Sequence, residues 1–276
     1  MINDFLNVDS SEKHYIKMGY KKIYEREVEQ VFSIQNKTKN ELLEDKDLEP
    51  LPELVRNYIR YTGSVGRPKL NNVFIRAGGT IRSGPDDAWM NFKSEQYNFF
   101  AEPARFFYIK AFKAGIPAFG LHIYKQERAT MQISLAGLYR IVNARGFEMN
   151  KGETVTLLND MCFMAPASLT DSRITWEEID PLHIKAVFRN GQISISAILT
   201  FDEEGRLIDF ISNDRYETAD GKKYMNNPWR TPVKDYGTFN GYRLPSKAEV
   251  IYVRPEGEYC YGVFNLREIK YNSDSL

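Results

Sequence analysis

The chain has 276 residues, of which 42% are hydrophobic and 13% aromatic. A chain of this size buries about three quarters of its unfolded surface on folding, which excludes wholesale disorder. Lys+Arg and Asp+Glu are equal at 37 each, so no net field draws the protein toward nucleic acid or an anionic membrane, and no nucleic-acid partner is expected.

The N-terminus, Met1 to Leu6, has neither a basic region nor an apolar stretch, and no 18-residue apolar window follows. The expectation is a cytoplasmic chain with no export signal and no integral membrane insertion. Cys162 and Cys260 lie far apart in different predicted elements and read as free thiols of a reducing compartment.

Asp9 and Glu12 resemble a capping box, and Ile16, Tyr20, Ile23, Tyr24, Val28, Val31 and Phe32 follow at helical spacing. The pattern predicts a helix over about 10–33, whose apolar stripe is covered either by the chain's own sheet or by a protein partner docking on residues 10–33. Residues 35–49 are polar and acidic and read as a linker. A second helix starts at Pro52, buries Leu54, Val55, Tyr58 and Ile59, and stops at Gly63. This division places a helix and acidic linker in 1–50 and one curled sheet domain in 51–276.

From Asn71 to Tyr271 the chain alternates strand and turn, punctuated by Asn190-Gly191, Asp202 to Gly205, Asn240-Gly241 and Pro255 to Gly257. These are hairpin signals. Predicted strands cover about 71–76, 88–99, 104–111, 118–124, 130–135 and 138–142, then 175–178, 183–189, 192–201, 207–213, 236–242, 248–253 and 259–271. Between the two blocks, residues 151–165 read as a helix with Val155, Leu158, Met161 and Cys162 on one face and Pro166 as its stop. In the clearest strand, Ile193, Ile195, Ala197, Leu199 and Phe201 share a dry face. So many strands in a flat sheet would leave an uncovered apolar face. The expected fold is therefore α+β, mostly antiparallel β: a curled incomplete barrel packed on helices, with an N-terminal helical extension.

No complete catalytic or metal-binding set stands out. The stretch Arg76 to Gly84 is glycine-rich but lacks a Gly-Lys-Ser/Thr ending and reads as a surface loop. His14, His122 and His183 lack ligand spacing, so no metal or cofactor is expected. Cys162 reads as a small core residue. Polar residues beside strands are more informative: Glu95 and Gln96, Glu127 and Arg128, Trp176 and Glu177, and Asp214-Arg215 followed by Trp229. Any that are buried must be paired, as structural glue, as a ligand-orienting clamp or as an acid/base site.

In order along the chain, Leu51-Pro-Glu-Leu-Val55 with Tyr58 and Gly63, Phe92 with Glu95-Gln96, Met131 with Gly137-Leu-Tyr, and Met164-Ala-Pro166 resemble an uncharacterised bacterial family of unknown function. The same holds for Thr175 to Asp180, Phe201 to Gly205, Asp214-Arg215, Pro228-Trp229 and Gly241 to Pro245. That family is similar to the lipoprotein-carrier superfamily, whose antiparallel half-barrels hold acyl chains around helices. The resemblance implies a fold and a ligand class but no activity. Family members often begin with a membrane or export segment, which this chain lacks, and Asp160 stands where a Glu is expected on the central helix.

The function expected is non-catalytic binding of a small hydrophobic or lipid-like ligand in the half-barrel, lined by Phe106, Phe107, Met161, Phe163, Met164 and Trp176. Arg215 would orient a headgroup, with Asp214 or Glu95 as its partner. The alternatives are a small-molecule enzyme using Glu95, Glu127 and Asp214 as acid/base residues, and an interaction module built on the N-terminal helix.

Overall fold

The computed structural model describes residues 19–34, 41–113 and 115–276. Asp9, Glu12, His14, Ile16 and most of the expected linker's first half lie outside the described residues. Four helices and a 14-stranded sheet make up the described chain. The helices are α1 (Tyr20–Ile34), α2 (Asp45–Leu48), α3 (Glu53–Tyr61) and α4 (Phe147–Met164). Strands β1 (Asn72–Ile81), β2 (Met90–Phe99), β3 (Ala104–Lys113), β4 (Ile116–Lys125), β5 (Arg128–Leu135) and β6 (Tyr139–Arg145) precede α4. After it come a 3-10 turn (Pro166–Thr170), β7 (Ile174–Asp180), β8 (His183–Asn190), β9 (Ile193–Phe201), β10 (Leu207–Ser212), β11 (Trp229–Arg230), β12 (Val233–Phe239), β13 (Tyr242–Arg254) and β14 (Gly257–Tyr271).

All pairings are antiparallel, in the order β6-β5-β4-β3-β2-β1-β14-β13-β11-β10-β9-β8-β7, with β12 on β13. The sheet is curled, because α4 touches strands far apart on this path: Thr154 meets Tyr124 of β4 at 2.8 Å, while Asn159 donates to Thr231 beside β11 at 2.7 Å. The margins also approach each other without pairing. Asn190 at the end of β8 donates to the Tyr124 hydroxyl at 2.7 Å, and Glu127 in the β4–β5 turn accepts the Gln192 amide at 2.8 Å. The result is an incomplete barrel wrapped around α4, which buries residues on every side, Val155, Leu158, Met161 and Cys162 among them.

The convex face is closed by α1. Ile23, Tyr24, Val28 and Val31 pack against Phe74, Tyr97, Phe99, Phe106 and Leu121, so the described part of the stripe is covered by the chain's own sheet. The interaction-module reading loses its surface there. The acidic stretch also departs from expectation. Glu44 and Asp47 form a capping box around α2, and the fully buried Leu43 and Leu48 anchor it to the main core, so these residues are docked structure rather than linker.

Asn240 and Gly241 both take positive φ, 49° and 82°, as a tight type I′ hairpin requires. The glycine-rich stretch corrects the loop reading, since Arg76 to Ile81 is the interior of β1. A Cβ on Gly79 would stand 1.9 Å from the Val263 carbonyl oxygen, so glycine here permits the close approach of β14. The short strand β11 was not foreseen, because two residues carry no periodicity.

Gly79→Ala should therefore destabilise the fold by about 3 kcal/mol, the upper end for overpacking. Urea unfolding checks this, and an unchanged midpoint would show that β14 yields freely.

Candidate functional site

Directly opposed residues of antiparallel strands share a face, so the register resolves the concave surface into rows. The first row runs Ala129, Tyr124, Arg105, Asn98, Val73 and Tyr271 across β5, β4, β3, β2, β1 and β14. The second runs Ala144, Met131, His122, Phe107, Gln96, Ile75 and Ile269. Helix α4 lies on these two.

Its attachment is a buried polar cluster. Arg105 on β3, with its side chain 7% exposed, donates from Nη1 to Glu153 at 2.9 Å and from Nε to Asp160 at 2.7 Å. Its Nη2 donates to Gln96 Oε1 at 3.0 Å. Gln96 and Asn98 each donate to Asp160, at 2.6 and 3.1 Å, and His122 Nδ1 lies 3.1 Å from Glu153. Glu153 and Asp160 are seven residues apart, two helical turns, and so face the sheet together. Burial pushes the Glu153 carboxyl up, but the Arg105 guanidinium and His122 outweigh it and hold the pKa at about 2. Burial likewise opposes the Arg105 charge, yet Asp160 and Glu153 keep its pKa above the ordinary value. Every carboxylate here is matched by a cation or amide, as a dry site demands.

The concave face continues past the helix. A third row runs Val142, Ile133, Gly120, Ile109, Ser94, Ala77 and Leu266. A fourth runs Leu135, Ala118, Ala111, Phe92, Gly79, Phe264 and Ala248. Ser94 is the one polar side chain in either row. Ile109, Ile133, Leu135, Ala118 and Phe264 stay partly exposed on this face, and Ile109 lies over Gly120, where a Cβ would come within 2.6 Å of its Cγ2. These rows form an apolar trough floored by sheet, with His122 and Phe107 at its inner margin.

Of the residues expected to line a cavity, Met161, Phe163, Met164 and Trp176 belong to the main core, while Phe106 and Phe107 lie apart from them. Phe107 faces the trough, 8% exposed and edge-on to His122 at 5.5 Å. Phe106, its neighbour in sequence, points to the opposite face beneath α1. Met161 and Phe163 are 1% and 3% exposed in the main core, where Met164 and Trp176 pack more loosely.

Arg215 lies over Trp229 at 4.5 Å, donates to Thr156 at 3.1 Å and bonds the Tyr252 hydroxyl. Neither expected carboxylate pairs with it. Asp214 accepts from Lys151 at 2.7 Å and from the Ser196 amide at 2.8 Å, while Glu95 is on the convex face with Lys21. Glu127, at positive φ in its turn, holds the Gln192 amide. Glu95, Glu127 and Asp214 thus stand on separate elements with separate partners. The carboxylates that do converge, Glu153 and Asp160, were not grouped from the sequence, although they stand two turns apart on one helix.

Two clefts of about 520 and 600 Å³ adjoin Arg76, the first beside Lys21, Glu25, Glu95 and Lys270, the second between Lys93 and Arg267 and lined also by Ala77, Gly78, Gly79 and Phe92. Cys162 is fully buried and its thiol pKa is raised by burial and by Asp160. His183 pairs with Asp180 at an exposed turn. Among the described residues no helix is long and apolar enough to cross a membrane.

A family model for a family of unknown function, DUF6544, matches residues 41–264. The chain belongs to DUF6544. No curated protein matches it. Among solved structures, this DUF6544 chain is similar to a DUF1329 family protein from Desulfovibrio piger at 12% identity, covering 79% of this chain and 92% of that one with a TM-score of 0.44. A putative outer membrane lipoprotein-sorting protein domain from Vibrio parahaemolyticus matches at 8% identity, 74% and 86% coverage and a TM-score of 0.41. A LolA superfamily protein from Nitrosomonas europaea matches at 10% identity, 80% and 92% coverage and a TM-score of 0.39.

Removing the shared cation should be costly. Arg105→Met strands two carboxylates in the core and should destabilise by about 3–5 kcal/mol, and adding Glu153→Gln and Asp160→Asn should restore much of the loss. Denaturant midpoints of the single and triple variants decide this.

The Glu153 pKa is depressed on folding, so its contribution is present above pH 4.5 and is lost as the pH falls through about 2. Unfolding free energy should drop across that window, and Glu153→Gln should remove that part of the slope. A slope identical in the variant would contradict the assignment.

Proposed function

We propose that this DUF6544 protein binds the apolar chain of a small hydrophobic or lipid-like molecule in the trough formed by the third and fourth rows. The observation that carries the reading is a run of aligned apolar residues on the concave face in which Ile109, Ile133, Leu135, Ala118 and Phe264 remain partly exposed, over buried Val142, Ala111, Phe92 and Leu266. Partly exposed Ile109, Ile133 and Phe264 gain from burial at about 25 cal/mol per Å² of apolar surface removed from water. Isolated apolar residues on a surface are ordinary; an aligned set spanning neighbouring strands marks a binding face. Its inner end meets the partly exposed His122, which supplies a hydrogen-bonding group for one polar end of a ligand.

The site differs from the cavity expected from sequence. Met161 and Phe163 are buried in the main core, and Arg215 is held by Thr156, Tyr252 and Trp229. An acid/base enzyme receives less support, because Glu153 and Asp160 are bound into the Arg105 clamp.

Protein purified from cells should carry a stoichiometric acyl-chain species in native mass spectrometry, recoverable by organic extraction. The double variant Ile109→Glu with Ile133→Glu should lose it by about tenfold or more, consistent with the cost of placing charge against an apolar ligand, when measured below its melting transition, which falls because both side chains pack on buried neighbours. A clean unliganded mass that persists after incubation with fatty acid and phospholipid would overturn the proposal.

A further inference from the structure

Equal totals of acid and base conceal an uneven distribution along this chain. From Pro103 to Phe147 it holds seven Lys or Arg and a single acid, Glu127. That segment is β3 to β6, one margin of the sheet. Glu127 sits at the far end of these strands, in the β4–β5 turn against the Gln192 amide. Arg105 is consumed by the buried clamp and Lys125 by Glu27. Lys110 and Arg140 remain exposed toward the other end, the end of the trough.

That end also presents apolar side chains to water. Leu138 is 79% exposed, Tyr139 72%, Ile116 52% and Phe112 47%. The register makes them neighbours: Phe112 opposes Pro117, the Ala136 amide donates to the Pro117 carbonyl at 2.7 Å, and Leu135 opposes Tyr139. Leu135 and Ala118 end the fourth row at this point, so the β3–β4 and β5–β6 tips form the rim of the trough. Lys110 stands over the rings of Phe112 and Phe119 at 5.1 and 5.6 Å, which interleaves cation with aromatic surface.

We infer that this rim docks on an anionic lipid surface, with Leu138, Tyr139, Phe112 and Ile116 entering the headgroup boundary and Lys110 and Arg140 meeting phosphate. Aromatic and aliphatic tips flanked by cations match the chemistry of that boundary, where apolar burial and attraction to anionic lipid add. A rigid protein partner would need a pit for each separated tip, whereas a lipid surface deforms to accept them. Strand addition along the whole β6 edge is also obstructed, at its Ala144–Arg145 end. The segment after β10 crosses it, with Tyr224 donating to the Arg145 carbonyl at 3.4 Å and Gly221 against Ala144. The inference rests on the trough reading in one respect: a ligand leaving a membrane for the trough would pass over this rim.

Vesicle flotation of the full chain tests it, using phosphatidylcholine vesicles and an equimolar mixture of phosphatidylcholine and phosphatidylglycerol. The protein should float with the anionic vesicles and not with phosphatidylcholine alone. Arg140→Ser should weaken partitioning about fivefold, the effect of one cation near the surface, and Leu138→Ser about tenfold, the effect of one buried aliphatic side chain. Both positions are exposed, so melting transitions should not move. Absence of flotation, flotation unaltered by both variants, or retention on polyglutamate beads without flotation would each overturn the inference, the last pointing to an acidic protein instead. The trough is read separately by lipid extraction. Flotation without bound lipid upholds the rim and removes the trough, and bound lipid without flotation does the reverse.

Discussion

One guanidinium organises the interior. Arg105 is held between Glu153 and Asp160 of α4, and that clamp fixes the helix against the first two rows of the concave face. The cost of drying three charges is met only because Gln96, Asn98 and His122 complete the hydrogen bonding. The helix cannot slide toward the open rows without stripping partners from a buried carboxylate. The clamp thus fixes which rows of the concave face lie under the helix and leaves Ile109, Ile133, Leu135, Ala118 and Phe264, in the rows beyond, partly exposed.

The two faces of the same strands follow from this division. On β2 and β3, Gln96, Asn98, Arg105 and Phe107 turn inward, while Tyr97, Phe99 and Phe106 turn outward and are sealed by α1. Alternation decides which of two adjacent phenylalanines meets the trough. Glycine serves the same geometry: Gly79 and Gly120 keep the trough floor low where β14 and Ile109 come close.

Much of the architecture is legible in the sequence, because hairpin turns and period-two alternation are local signals. The family resemblance and the curled half-barrel both hold, on residues such as Asn240-Gly241 and the Ile193 to Phe201 strand. The site was less legible. Which polar residues are buried depends on register between strands far apart in sequence, so Glu153 went unnamed and Glu95 and Asp214 were grouped with an arginine they do not touch. The Arg76 to Gly84 stretch misled for a related reason: glycine signals a turn locally, while its purpose here is a tertiary approach by Val263. Whole-chain charge also hid the basic margin, since a sum discards position.

The most direct test is a crystal structure of the protein with a bromine-labelled fatty acid, located by anomalous scattering. The account predicts bromine density on the concave face among Ile109, Ile133 and Phe264. Density confined to the clefts beside Arg76, or none at saturating ligand, would contradict it.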